Sequence, residues 1–188
     1  MCDMENGVQQ AVYDSRCAEQ RSLNRQELFA KVARIVHKTR TERLVDDFGL
    51  VPSVVDCESW PHEDPLSGYC HENAELLARR LSEAGYEPDI IWGAITEPRF
   101  DPPETVEEAE ADGAVHFWVE LSVDDLVETP IVADLSKEVE GWPLVSRSFP
   151  ENYVRLPQSR VPYTCEISSR NLRSYDGYVD LLERGFVQ

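Results

Sequence analysis

Apolar residues recur at helical spacing twice in the first half of the chain. Leu28, Val32, Ile35, Val36 and Thr39 form one stripe, which predicts a helix that starts behind a Ser22 or Asn24 cap and ends before Gly49. Cys70, Ala74, Leu77 and Leu81 form the second, with steps of four, three and four. That second helix follows a loop rich in helix-breaking residues, Trp60-Pro61-His62-Glu63-Asp64-Pro65-Leu66-Ser67, and Gly85 supplies a stop directly after Ala84. Cys70 is therefore expected in the first turn, on the inward face, with Glu72 beside it complementing the helix dipole.

The period then drops to two. Asp89 to Ile95 reads as a strand. Ala114 to Leu121 reads as another, with Val115, Phe117, Val119 and Leu121 on one face and Ala114, His116, Trp118 and Glu120 on the other. Pro130 to Ser136 is a third β-prone run. Joined as an antiparallel hairpin with His116 opposite Asp134, the last two strands bring Leu121 to Thr129 across a seven-residue loop. In that register the imidazole and the carboxylate project from one sheet face, with Cβ atoms about 5 Å apart.

The remaining segments are less regular. Residues 1–21 are polar with weak periodicity and are expected to form a loose arm or a poorly ordered helix, leaving 22–188 as a single domain. Pro98-Arg99-Phe100-Asp101-Pro102-Pro103 breaks regular structure, and the acidic stretch Glu104 to Gly113 reads as a solvated surface loop. Its place directly before the histidine strand also allows it to overhang the site and favour a cationic substrate. Pro143, Pro150, Pro157 and Pro162 punctuate an extended C-terminal region, and Leu172, Tyr175, Val179 and Leu182 predict a final helix. These elements are expected to pack around the core, and there is no internal repeat.

Cys70, His116 and Asp134 carry the chemistry. Free amide N–H groups and the positive end of the dipole at a helix N-terminus favour a thiolate, and so lower a cysteine pKa from its usual value of roughly 8.5. A carboxylate facing His116 holds the imidazole in one tautomer and stabilises its charged form. Taken singly, Cys70 reads as a small buried hydrophobe, His116 as a satisfied strand residue and Asp134 as the start of a turn with Ser136. Taken together and in chain order, they suggest a nucleophilic cysteine enzyme.

The stretches Gly68-Tyr69-Cys70 with Asn73-Ala74 and Leu77, His116-Phe117-Trp118-Val119-Glu120, and Val132-Ala133-Asp134-Leu135 resemble the transglutaminase-like superfamily of papain-like thiol enzymes. The resemblance covers about residues 60–140. It implies an α+β fold in which a nucleophile helix packs on an antiparallel sheet, with flanking helices, and it implies Cys70 as nucleophile, His116 as general base and acid, and Asp134 as the residue that orients it. The Cys70 backbone N–H is then an oxyanion donor, Trp60 a second donor, and Trp118 a side chain that shields or shapes the site. The implied activity is cleavage or transfer at an amide or related acyl bond of a peptide, protein or small molecule, through a thioester. Hydrolysis is favoured over crosslinking, because water is always at hand and no amine-binding site is legible. The alternative is a catalytically silent transglutaminase-like module used for binding.

A metal reading competes for the same thiol. Cys57, His62, Cys70 and His71 fall within fifteen residues, yet C-x4-H-x7-C-H lacks the paired short spacings of structural zinc sites, and neighbouring Cys70 and His71 diverge on a helix. No metal or other cofactor is expected.

Composition bounds the partners. The chain has 188 residues, 41% of them hydrophobic, enough for one domain with a full core. Its 36 acidic and 18 basic residues give a net charge of −18, with lysine only at positions 31, 38 and 137. No basic stripe remains for a phosphate backbone, which excludes nucleic acid as a direct partner. An acidic, lysine-poor surface suits a protein of a high-salt, halophilic setting, where ions screen self-repulsion. Five scattered cysteines fit reduced thiols better than a disulfide framework, and Cys2, Cys17, Cys57 and Cys165 lack the setting of Cys70. With neither a signal-like apolar segment nor a run long enough to span a bilayer, a cytoplasmic protein without membrane contact is expected. No pattern in the chain specifies an oligomeric state.

Overall fold

The computed structural model describes residues 3–49, 65–66, 68–95, 115–122, 129–139, 142–164 and 184. Among the described residues, two helices and five strands follow one another: α1 (Asp3–Asp46), α2 (Cys70–Glu83), β1 (Pro88–Ile95), β2 (Val115–Leu121), β3 (Ile131–Val139), β4 (Trp142–Ser146) and β5 (Tyr153–Pro162). The strands form one sheet in the order β4-β3-β2-β1-β5, with every neighbouring pair antiparallel. The fold is α+β.

Helix α1 is longer than its apolar stripe suggests. It runs through Ser22 and Asn24, the two expected caps, and from Asp3 onward takes in the segment expected as a loose arm or a poorly ordered helix. Neither residue breaks a helix, since each costs under about 0.7 kcal/mol relative to alanine inside one. Val32, Val36, Thr39, Arg40 and Leu44 make its buried stripe. Two arginines fasten it to the sheet side: Arg40 Nη1 donates to the Leu135 carbonyl, and Arg25 Nη2 donates to the Thr129 carbonyl at 3.0 Å.

Helix α2 matches its expected span to within a residue. Ala74, Leu77 and Leu81 are buried, and each fully buried leucine contributes about 1.5–3 kcal/mol relative to an exposed one. Gly85, at φ +88°, ends the helix in a Schellman turn. The Tyr86 N–H donates to the Leu81 carbonyl at 3.1 Å, and the Gly85 N–H to that of Ser82 at 2.9 Å. At the other end Gly68, at φ +80°, turns the chain into Tyr69, the N-cap, so that Cys70 is the first helical residue.

Alternation along the strands sorts their side chains into two layers. Ile90, Phe117, Val119, Leu121, Ile131, Ala133 and Leu135 pack with the buried stripes of α1 and α2. Ile91, Trp118, Val132, Leu144 and Tyr153 form a second cluster on the other face. Burial on both faces explains why β2 is buried at every position from His116 to Leu121. Prolines fall where a missing N–H is tolerated. Pro143 is in edge strand β4, and Pro157 is in edge strand β5, where the register against β1 shifts between Ile91 and Gly93.

One register differs from expectation. Leu121 pairs with Ile131 instead of Thr129, so β2 and β3 are offset by two residues from the arrangement that sets His116 squarely opposite Asp134. A shift of two preserves the face of every side chain, whereas a shift of one inverts it. The acidic stretch 98–113 and the helix expected around 172–182 lie outside the described residues. Among the described residues, no helix is long and apolar enough to cross a membrane.

Candidate active site

The first residue of α2 meets the second residue of β2. Cys70 stands at the helix N-terminus, half-buried, and its thiol is hydrogen-bonded to His116. Nε2 of His116 lies 2.5 Å from Oδ2 of Asp134, which leaves Nδ1 as the nitrogen for the sulfur. The observed register puts Asp134 one step beyond the Ala133–Val119 pair, so its carboxylate reaches the imidazole along a diagonal of the sheet. Thiol, imidazole and carboxylate are thus in contact in the order expected from the sequence.

Asp134 is 2% exposed, and a carboxylate buried that deeply requires hydrogen-bond donors. Besides His116, the Ser136 N–H donates to Oδ1 at 2.7 Å, and the Tyr153 hydroxyl donates to Oδ2 at 2.7 Å. Asn73, one helical turn after Cys70, donates from Nδ2 to Ser136 Oγ at 2.7 Å and to the Leu66 carbonyl at 3.2 Å. A chain of contacts therefore closes on itself, from Cys70 through His116, Asp134 and Ser136 back to Asn73 on the same helix. It fixes the helix N-terminus relative to both strands.

Electrostatics follow from this geometry. Burial pushes the Cys70 thiol up, but hydrogen bonds and charge from His116 and His71 outweigh it and hold the thiol at about 6. Burial pushes His116 down, and Asp134 followed by Cys70 overcomes this and raises it to about 9. Burial likewise raises the Asp134 carboxyl, yet His116, Tyr153 and the Ser136 N–H hold it below the usual carboxylate range. Between about 6 and 9 the favoured state is a thiolate beside an imidazolium.

Trp118 is fully buried, its ring lying near-parallel to that of His116 at 6.3 Å and edge-on to Tyr153 at 5.0 Å. Its ring flanks the imidazole, and it belongs to the second hydrophobic layer. Its Nε1–H donates to Glu120 Oε1 at 2.9 Å. Glu120, itself 0% exposed, accepts a two-pronged grip from Arg155: Nε to Oε1 at 2.8 Å and Nη2 to Oε2 at 2.7 Å. The buried charge is thereby compensated and the indole orientation fixed.

Tyr153, Arg155, Ser136 and the Asn73 amide escaped the sequence reading as site residues. Tyr153 and Arg155 come from β5, which joins the sheet beside β1, and only the topology brings them near β2. Trp60, Cys57 and His62 lie outside the described residues. Among the described residues, no group of three or more His, Cys, Asp or Glu side chains is arranged to hold a metal. No protein-family model, no curated protein and no solved structure matches the chain.

Proposed function

We propose that this chain is a cysteine-dependent hydrolase or acyltransferase of the transglutaminase-like kind, acting on an amide or related acyl bond of a peptide, protein or small molecule. The observation that carries the reading is the contact series Cys70, His116, Asp134, in which Asp134 occupies one imidazole nitrogen and Cys70 meets the ring. A helix that begins with the nucleophile and packs on an antiparallel sheet gives further support.

In the reaction, the Cys70 thiolate attacks the acyl carbon and a C–S bond forms. Protonated His116 gives its proton to the departing amine or alcohol as the C–N or C–O bond breaks, leaving a thioester. His116, now neutral, takes a proton from water, whose oxygen attacks the thioester. The acid is released and the thiolate–imidazolium pair returns. Tyr69, the N-cap, makes no side-chain cap hydrogen bond, so it does not claim the first amides of α2, and the Cys70 N–H suits a developing oxyanion. Hydrolysis ranks above crosslinking because water needs no dedicated acceptor site.

The pH dependence of Cys70 alkylation tests this, in high salt and with the other four cysteines replaced by serine. A thiol reactive well below pH 8, whose midpoint rises in His116→Ala, is the expected result. An ordinary thiol profile that His116→Ala leaves unchanged in a folded protein would overturn the reading in favour of a catalytically silent binding module.

A further inference from the structure

Tyr153 enters the site from the far side of the sheet. It sits on edge strand β5, opposite Ile95 of β1, and its hydroxyl reaches Asp134 of β3, two strands beyond β1. Gly93 of β1 pairs with both His116 and Arg155, so β1 puts no side chain in the path at that level. The indole of Trp118 occupies the space beside Gly93 instead. The Tyr153 ring stands edge-on to that indole at 5.0 Å and to His116 at 5.8 Å, and the residue is buried.

The hydroxyl does more than supply one donor to a buried carboxylate, because it shares an atom with the imidazole. Oδ2 of Asp134 accepts from Tyr153 at 2.7 Å and lies 2.5 Å from Nε2 of His116, while Oδ1 accepts the Ser136 N–H. A carboxylate oxygen carries two lone pairs, so two donors fill Oδ2 and fix the direction from which each approaches. Rotation of the carboxylate would break one of these bonds, and Nδ1 of His116 stays turned to Cys70.

We propose that Tyr153 is a positioning residue of the triad: by sharing Oδ2 with His116 it holds the imidazole in line with Cys70 and limits how strongly Asp134 stabilises the imidazolium. The inference rests on the cysteine acyl-transfer reading. During acylation His116 passes its Nδ1 proton to the departing amine or alcohol, and the cation it gives up is the one Asp134 stabilises. Every donor on Asp134 draws on the same negative charge, so the Tyr153 O–H leaves less of it for the ring. His116, already raised to about 9, would be a poorer acid with the full charge of Asp134 on it. Tyr153 keeps its own proton throughout, since burial and then the charge of Asp134 push the hydroxyl far above the usual phenol range. It is a fixed donor, and its O–H bond breaks in no step.

Among the described residues, the titratable and charged groups around the couple come from four elements. Cys70 and the adjoining His71 belong to α2, and Arg40 of α1 meets the Leu135 carbonyl next to Asp134. Glu120 of β2, held by Arg155 of β5, lies across the Trp118 indole. Strand β4 sets the uncharged Leu144 opposite Asp134. Removing the Tyr153 hydroxyl changes none of these charges, so a displaced His116 midpoint reports the lost hydrogen bond.

The experiment is an NMR titration of the full chain with 13C-labelled histidine between about pH 5 and 11, with the His116 ring signal assigned by its loss in His116→Gln and folding checked by circular dichroism. Tyr153→Phe keeps the ring beside Trp118 and removes only the hydroxyl. It is expected to raise the His116 midpoint by about one pH unit, a tenfold tighter hold on the proton. Replacing Tyr153 with 3-fluorotyrosine makes the hydroxyl a stronger donor. That protein is expected to lower the midpoint, and it decides the matter if Tyr153→Phe does not fold. A folded Tyr153→Phe whose His116 midpoint is unmoved or lowered overturns the positioning role and leaves the triad standing, even if the variant is less stable. An unmoved or raised midpoint with 3-fluorotyrosine does the same where only that protein folds. A parent His116 midpoint at the ordinary value of about 6.5 overturns the triad and the positioning role with it.

Discussion

Cys70 and His116 perturb each other in opposite directions, and the consequence for stability is a cancellation. His116 is raised to about 9, so its stabilising contribution is complete below the unfolded value of about 6.5 and is lost as pH rises through the folded one. Cys70 is lowered to about 6, so its contribution is complete above the unfolded value of about 8.5 and is lost as pH falls through the folded one. Between those limits the folded pair carries its single proton on His116, and the unfolded pair carries its single proton on Cys70. The proton counts match, so the pair adds no slope to stability against pH, even though the thiolate and the imidazolium are both far from their unfolded states. Asp134 does not disturb this window, because it is ionised in both states throughout it. Cys70→Ala removes one half of the cancellation. The urea midpoint of that variant is expected to fall relative to the parent from about pH 6.5 upward, as the remaining His116 contribution is lost. Parallel curves for the two proteins over this range would show that the imidazole and the thiol are not coupled in the fold.

At the scale of elements, the tightest constraint lies where β1 passes beneath the indole of β2. Gly93 pairs with His116, and a Cβ built there would lie 2.2 Å from Cη2 of Trp118 and 2.3 Å from the Val154 carbonyl oxygen. The indole cannot swing aside freely, since Glu120 holds its N–H, and the carbonyl belongs to the backbone of β5. Gly93→Ala is therefore expected to destabilise by about 1–3 kcal/mol, as overpacking of a filled core does. Chemical denaturation checks this, and a change under about 0.5 kcal/mol would mean that the two sheet elements are not held as closely as described. The same elements show which parts of the site are legible in one chain. Period and punctuation place α2 and the faces of β2 and β3, because burial acts on every turn and every second residue. Register is less legible: the connection at 122–130 carries no short turn motif to fix it, and only the face of His116 and Asp134 survives a two-residue shift. Tyr153 and Arg155 are illegible for another reason. Strand β5 pairs with β1 some sixty residues earlier in the chain, and no local pattern states that pairing.

For the whole molecule, the excess of 36 acidic over 18 basic residues sets up a repulsion that the folded state concentrates and the unfolded chain relieves. Among the described residues, several exposed cations are already committed locally, with Lys31 at Glu27 and Lys38 at Glu42, so they offset neighbours without lifting the net imbalance. Salt shortens the reach of the remaining charge from about 10 Å at 0.1 M to about 3 Å at 1 M. The buried site responds differently, because His116, Asp134 and Cys70 interact at contact distance and away from solvent, where ions screen little. The urea midpoint is accordingly expected to rise steeply between dilute buffer and molar sodium chloride, while the alkylation midpoint of Cys70 moves far less. A salt effect on apolar burial would also raise stability, so the titration has to be repeated near pH 4, where the carboxylates are about half protonated and repulsion is weak. Loss of the salt dependence at that pH assigns it to surface charge. Equal stability in dilute and molar salt at neutral pH would count against a protein adapted to a saline setting, and would leave its acidity without a role in folding.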